Sequence, residues 1–286
     1  MTTRRTFIAG CATLALAPVL TPVCASVPQK ALRIGMTPAF LNDQYRALAD
    51  WRLYMESKLK RRVEFVQRDS YRETIDLLRL AQLDFAWICD YPYLYLRDYV
   101  ELLAVPLYQD QPYYRAYLIS SGKYPQIWNM GQLRGKIFAY SDPYSSTGCL
   151  VPRYQLHMMG EDPNRFFART FYTYSHRKVI EAVGDGLAHA GSVDSIVWDA
   201  LDNIRPEITL RAWLVSQSPA YGAPPLVVHR AVPREDAIAM REMLITMRYD
   251  PQGKELLKRL QLDGFTVAAR KLYDRVARMM RTLGEY

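Results

Sequence analysis

The chain's 286 residues hold 37 lysines and arginines against 29 aspartates and glutamates, a net charge of +8, and half of its residues are apolar. That length can bury one large core or two smaller lobes with a cleft between them, and the basic excess suits an anionic ligand or surface. The basic residues are scattered, with no tract beyond Lys58–Arg62, which argues against a nucleic-acid partner; four histidines far apart and no Cys-x-x-Cys argue against a metal centre, and no cofactor is expected.

In chain order, residues 1–26 come first. Arg4-Arg5, a short apolar stretch and a small-residue exit at Val23-Cys24-Ala25-Ser26 read as a secretory signal peptide. Arg4-Arg5 followed by Thr6-Phe7-Ile8 resembles a twin-arginine signal, which exports folded proteins. Cys11 falls too early in the apolar stretch for a lipid anchor, and Cys24 lacks a preceding Leu-Ala-Gly pattern. Later segments fall short of the ~18 uninterrupted apolar residues of a membrane-spanning helix, so the mature chain is expected to be soluble and periplasmic, with 35 basic and 29 acidic residues.

Short apolar strands then alternate with amphipathic helices. "ALRIGMTP" (31–38) reads as a strand, and "NDQYRALADWRLYMESKL" (42–59) as a helix capped by Asn42 or Asp43. "RVEFVQR" (62–68) is a strand, "SYRETIDLLRLAQ" (70–82) a helix capped by Ser70, and "DFAWIC" (84–89) a buried strand before a tyrosine-rich loop, "DYPYLYLRDY". There the alternation of Tyr91, Tyr93 and Tyr95 is that of a strand, with at least one ring in the core. Residues 102–120, broken by Pro106 and Pro112, link a first lobe to a second. The second repeats the pattern: strands at 136–142, 169–174 and 210–218, a helix at 148–160 with Pro152 tolerable only in its first turn, a helix at 175–186 capped by Ser175, and a strand then a helix over 189–201. "YGAPPLVVHR" (221–230) returns the chain, and the C-terminal helices are expected to pack on the first lobe. Strand–helix alternation predicts parallel sheets, whose ligands sit beyond the carboxyl ends of the strands. The expected lobes are residues 27–112 with 226–286, and 113–225.

"SDPYSSTGCLVPRYQL" (141–156) stacks Ser145, Ser146 and Thr147 at a helix start, just before Gly148. A helix start offers unpaired N–H groups and partial positive charge, and hydroxyls there add donors without charge. The pattern is that of one jaw of an oxyanion site, or of a heavily decorated helix cap.

The same stretch resembles the Ser-Asp-Pro-x-Ser-x-Ser-Gly-x-x-x-Pro motif of the phosphate/phosphite/phosphonate-binding periplasmic proteins, the PhnD-like family. "LDFAWICDYPYLY", "YTYSHRKVIEAVGDGLAHAGSVDSIVWDAL" and "SPAYGAPPLVV" resemble further segments of that family in matching order. The resemblance implies a type II periplasmic binding protein: two α/β lobes, a ligand cleft and two crossing segments, closing on a small oxyanion. It implies ligand contacts from Ser145, Ser146, Thr147, His176 and Tyr93. Asp194 is implied to face a ligand amino group, or else simply caps its helix. Arg115 and Tyr117 are weaker candidates. It also implies a monomer that hands its ligand to an ABC permease or reports it to the periplasmic domain of a histidine kinase.

Two positions depart from the family. Cys89-Asp90 stands where Gly-Pro is usual, and Cys149 follows the motif glycine. Two cysteines in an exported protein are usually a disulfide, but one on each side of a cleft would lock the lobes together. Cys89 resembles instead the arsenite-sensing (AioX-like) branch of the family, and a thiol suits trivalent arsenic; otherwise it is a buried small hydrophobe. A thiol hydrolase using Cys89 or Cys149 with His176 and Asp194 is a remote reading, because no local motif sets a base beside either thiol.

Overall fold

The computed structural model describes residues 30–37 and 45–285. The expected leader, with Cys11 and Cys24, and the expected cap at Asn42 or Asp43 lie outside the described residues.

The first lobe begins β1 (Leu32–Met36), α1 (Tyr45–Leu59), β2 (Val63–Gln67), α2 (Tyr71–Arg79), β3 (Phe85–Trp87), α3 (Asp90–Tyr95) and β4 (Val100–Leu107). The chain crosses through β5 (Tyr113–Tyr114) into β6 (Ala116–Ser121), β7 (Ile137–Tyr140), a π turn (Ser146–Leu150), α4 (Val151–Met158), β8 (Arg169–Tyr172), α5 (His176–Gly184), β9 (Ala190–Asp194), α6 (Ser195–Ile204), α7 (Pro206–Thr209) and β10 (Ala212–Gln217). It returns through β11 (Tyr221–Gly222) to β12 (Leu226–His229), then α8 (Arg234–Thr246), α9 (Pro251–Leu260), β13 (Gly264–Thr266) and α10 (Asp274–Thr282).

Two mixed sheets result, ordered β13-β4-β12-β3-β1-β2 and β10-β6-β9-β7-β8, with β5 and β11 paired as a small antiparallel ribbon between them. Parallel pairing is confined to β2-β1-β3 in one sheet and β8-β7-β9 in the other; β12 and β6 run antiparallel beside them. Strand–helix repeats account for the parallel cores, whereas β6 and β12 arrive from the crossings and enter with opposite sense.

Local chemistry explains the boundaries that position the cleft. Ser70 and Glu73 form a reciprocal capping box at the start of α2, and the Ser175 hydroxyl accepts from Lys178 N at the start of α5. The tyrosine-rich stretch expected as a loop or strand is a helix, α3. Asp90 accepts from Tyr91 N at 2.9 Å, and Pro92 sits in the first turn, where its missing N–H costs nothing. In a helix Tyr91 and Tyr93 point to opposite sides, and each is buried in a different apolar cluster, whereas Tyr95 is exposed.

The first lobe packs around Trp51, whose ring stacks on Phe265 at 6.2 Å and meets Trp87 edge-on at 5.8 Å. The second lobe has apolar clusters centred on Ile119, Val179 and Leu201, and on Phe138 and Leu156. A further cluster belongs to neither lobe alone: Tyr91, Tyr114, Leu150, Val151 and Tyr221 meet Val276, Met279 and Met280 of α10. The last helix therefore lies across both lobes rather than on the first only. Its continuation carries Glu285, whose carboxylate accepts from the Tyr91 hydroxyl of one lobe and pairs with Arg153 of the other.

Candidate ligand-binding cleft

The polar residues converging between the lobes nearly all follow the carboxyl ends of parallel strands. β2 leads to Tyr71, β3 to Cys89 and Asp90, β7 to Ser145–Thr147, β8 to His176, and β9 ends at Asp194. That is where an open parallel sheet binds its ligand.

On the second lobe, Ser145 caps the π turn by accepting from Gly148 N at 3.0 Å. The Ser192 hydroxyl holds the Thr147 carbonyl at 2.6 Å. Gly148 is required by close approach: a Cβ there would stand 1.8 Å from Ser141 Oγ and 3.0 Å from the His176 ring. The turn thus presses against the imidazole, with Ser145, Ser146 and Thr147 fully buried.

His176 Nδ1 accepts from Asp194 N at 3.1 Å, which leaves the single proton of the neutral ring on Nε2. Nε2 faces Ser145 Oγ at 3.3 Å and Tyr71 Oη at 3.4 Å. Burial pushes the imidazole down to about 3, so it is a neutral donor. Asp194 Oδ1 caps α6 through Ile196 N and Val197 N, and burial raises its carboxyl to about 7 against those hydrogen bonds.

The first lobe presents a different chemistry. One oxygen of Asp90 accepts from Tyr91 N at 2.9 Å, the Tyr114 hydroxyl at 2.9 Å and the Cys89 thiol at 3.1 Å. Its other oxygen has no partner among the described residues, and burial raises the carboxyl to about 6. The Cys89 thiol is pushed well above its ordinary range by burial and then by the Asp90 charge, which keeps it protonated; the Ser146 main-chain amide, from the opposite lobe, acts in the other direction.

The lobes are closed. Asp142 of the second lobe accepts from Tyr71 N at 3.1 Å, capping α2 from across the cleft, and Tyr71 Oη meets His176. Sealed inside with no partner among the described residues are Ser146 Oγ, Thr147 Oγ1, Ser141 Oγ and Asp90 Oδ2. Each such atom costs about 1–3 kcal/mol unless something fills the gap. Among the described residues, no lysine or arginine hydrogen-bonds to these site groups.

Of the residues the sequence pointed to, Ser145, Ser146, Thr147, His176, Asp194 and Cys89 come together. Tyr93 does not join them: its ring packs edge-on against Tyr273 at 5.1 Å in the first lobe's core. Tyr117 turns to Asp199, and Arg115 donates to the Ser218 carbonyl. Tyr71, Asp90, Tyr114 and Asp142 were missed; of these Asp90 carried a signal as the second half of the departure from Gly-Pro, and Asp142 as the aspartate of the Ser-Asp-Pro stretch. Cys89 and Cys149 are both free: one thiol donates to Asp90, and the other faces the Tyr172 hydroxyl from a separate cluster. Neither is bonded to His176.

Together these features define a two-lobed solute-binding protein closed over a small polar site. The chain belongs to the family described as ABC transporter, phosphonate, periplasmic substrate-binding protein, whose profile matches residues 34–273. Among solved structures, a binding protein component of an ABC phosphonate transporter from Pseudomonas aeruginosa is similar at a TM-score of 0.83 with 19% identity, covering 89% of this chain and 87% of its own. PhnD1 from Prochlorococcus marinus in complex with methylphosphonate is similar at 0.81 with 18% identity, covering 90% and 99%. A histidine kinase sensor domain with similarity to periplasmic binding proteins follows at 0.58 with 13% identity, covering 82% and 98%. At these identities the likeness is one of fold, type II with two α/β lobes. A search of curated proteins found no sequence match.

Proposed function

We propose that this protein captures a small tetrahedral oxyanion of the phosphate, phosphite or phosphonate type by closing its lobes, and hands it to an ABC permease. The observation that carries this reading is the set of buried, unpartnered polar atoms contributed by both lobes: Ser146 Oγ and Thr147 Oγ1 from one side and Asp90 Oδ2 from the other. A ligand drives closure only through contacts that the open form lacks, and contacts divided between jaws meet that condition. Ser146 and Thr147 donate to ligand oxygens, the neutral His176 shapes the wall, and the two carboxyls accept from ligand hydroxyl or amino groups. The protein acts as a monomer after export behind its leader, by the twin-arginine route if Arg4-Arg5 is read as such. The lobes divide at 112/113 and 225/226, with the β5–β11 ribbon as the hinge. The experiment is calorimetric titration of reduced protein with phosphate, phosphite and methylphosphonate. Submillimolar binding, abolished in Ser146→Ala/Thr147→Ala, is expected; binding that survives the double substitution refutes the placement.

A second reading has one observation in its favour. The Cys89 sulfur lies in the same cluster, beside Asp90 and 3.5 Å from the Tyr114 hydroxyl. Neutral arsenous acid, with three hydroxyls and a taste for thiols, would satisfy such a wall, and the closed form would then report to a histidine kinase. Arsenite binding lost in Cys89→Ala, with no binding of phosphorus oxyanions, would favour it.

A further inference from the structure

Away from the cleft, one stretch of the charged surface lacks ionic partners. Many arginines are paired, as Arg61 is with Asp236, Arg230 with Glu101 and Arg259 with Asp50. Lys271, Arg275 and Arg278 are exposed, have no ion pair among the described residues, and line one groove of about 490 Å³.

The sequence builds this row. The three cations recur at spacings of four and three, which puts them on one side of α10 and the short 3₁₀ turn before it (Arg270–Tyr273). Tyr273, Val276, Ala277 and Met280 between and beside them are buried, so the segment turns its charges outward. Its base is firm. Tyr273 donates to the Ala223 carbonyl at 3.0 Å, and a Cβ on Gly222 would stand 2.6 Å from Leu272, so the turn is pressed onto the β5–β11 ribbon. Tyr113 of that ribbon lines the groove with 43% of its surface exposed, and Val267, next to Ala268 in the groove wall, is 60% exposed. The groove's one acid, Asp274, lies in the first turn of α10, where it complements the helix's own positive end.

We propose that this groove docks the protein on an anionic phospholipid surface, with Lys271, Arg275 and Arg278 taking headgroup phosphates and Tyr113 and Val267 resting at the interface. The proposal does not depend on what the cleft holds.

The chemistry favours lipid over an acidic protein segment. Either would satisfy the cations, but a tyrosine and an aliphatic side chain exposed beside them match the amphipathic boundary of a bilayer. Each cation near an anionic leaflet strengthens binding about fivefold, so three give roughly 100-fold, a reversible and salt-sensitive attachment. A protein of a family that serves an ABC transporter works against a membrane, and such an attachment confines its search to that plane.

The test is co-sedimentation of the purified protein with vesicles of phosphatidylglycerol and phosphatidylcholine, and with vesicles of phosphatidylcholine alone. Wild type is expected to bind the first, to weaken as salt rises, and to ignore the second. Lys271→Glu/Arg275→Glu/Arg278→Glu should lose roughly 100-fold in partitioning. The exposed cations Arg62, Arg68 and Lys254 lie outside the groove, so Arg62→Glu/Arg68→Glu/Lys254→Glu makes the same change in net charge and should keep most of the binding. Wild type that ignores anionic vesicles, equal losses in the two triple variants, or capture by immobilised polyglutamate without vesicle binding overturns the proposal. Should the groove reversal fail to fold, the milder Lys271→Gln/Arg275→Gln/Arg278→Gln makes the same comparison, and its unchanged binding overturns the proposal equally.

Discussion

The two jaws of the cleft hold polar groups in opposite ways. The second-lobe jaw is finished before any ligand arrives: Ser145 bonds Gly148 N, Ser192 pins the Thr147 carbonyl and His176 is fixed by Asp194 N. Only hydroxyls are left over. The first-lobe jaw is held by one atom, the occupied oxygen of Asp90, and leaves an acceptor over. The leftover groups therefore differ in kind: hydroxyls on the second-lobe jaw and a carboxylate oxygen on the first.

Removing the donors should have the largest effect. Hydrogen bonds to a charged partner contribute about 1.5–3 kcal/mol each, so Ser146→Ala/Thr147→Ala should weaken oxyanion binding by ~100-fold or more, read by calorimetry. Next is the glycine that lets this jaw reach the imidazole. Gly148→Ala would drive a methyl into Ser141 and should cost ~2–4 kcal/mol of stability in chemical denaturation.

The first-lobe jaw should respond with the opposite sign. Without ligand, Asp90→Asn removes a buried charge and should stabilise the protein by ~1–3 kcal/mol at neutral pH. The folded-state value of about 6 lies above the ordinary 3.8, so the native state holds this proton more tightly than the unfolded chain. Wild type then loses stability as pH rises from ~4 through ~6, and the gain from Asn should fade below ~pH 4. His176 works in reverse: with a folded value of about 3 against 6.5, its contribution is full above pH 6.5 and is lost as pH falls toward 3. His176→Gln should flatten that acid limb in melts taken across the range. The smallest effect belongs to Tyr93→Phe. Its ring packs against Tyr273 away from the cleft, so ligand affinity should move by less than about twofold; a tenfold loss would return Tyr93 to the site.

The second-lobe jaw was the more legible one because its signals are local: three hydroxyls, a glycine and a capping pattern within a few residues. The caps of α2 and α5 were legible for the same reason. The first-lobe jaw depends on distant pairings. Tyr114 meets Asp90 from 24 residues away and Asp142 caps Tyr71 from 71 away, and no spacing in one sequence announces either. Tyr93 was misplaced because the resemblance matched it to a cleft-closing tyrosine, whereas α3 turns its ring onto Tyr273 in the first lobe's core. The antiparallel β6 and β12 were hidden because alternation reports what links strands, not the direction from which a crossing chain arrives.

The Glu285 carboxylate, shared between Tyr91 and Arg153, also sets a timescale. A carrier must keep its cargo for the duration of a diffusive search and then surrender it on contact. Because Glu285 is held from both lobes, opening must part it from one of them, either the Tyr91 hydroxyl or the Arg153 guanidinium.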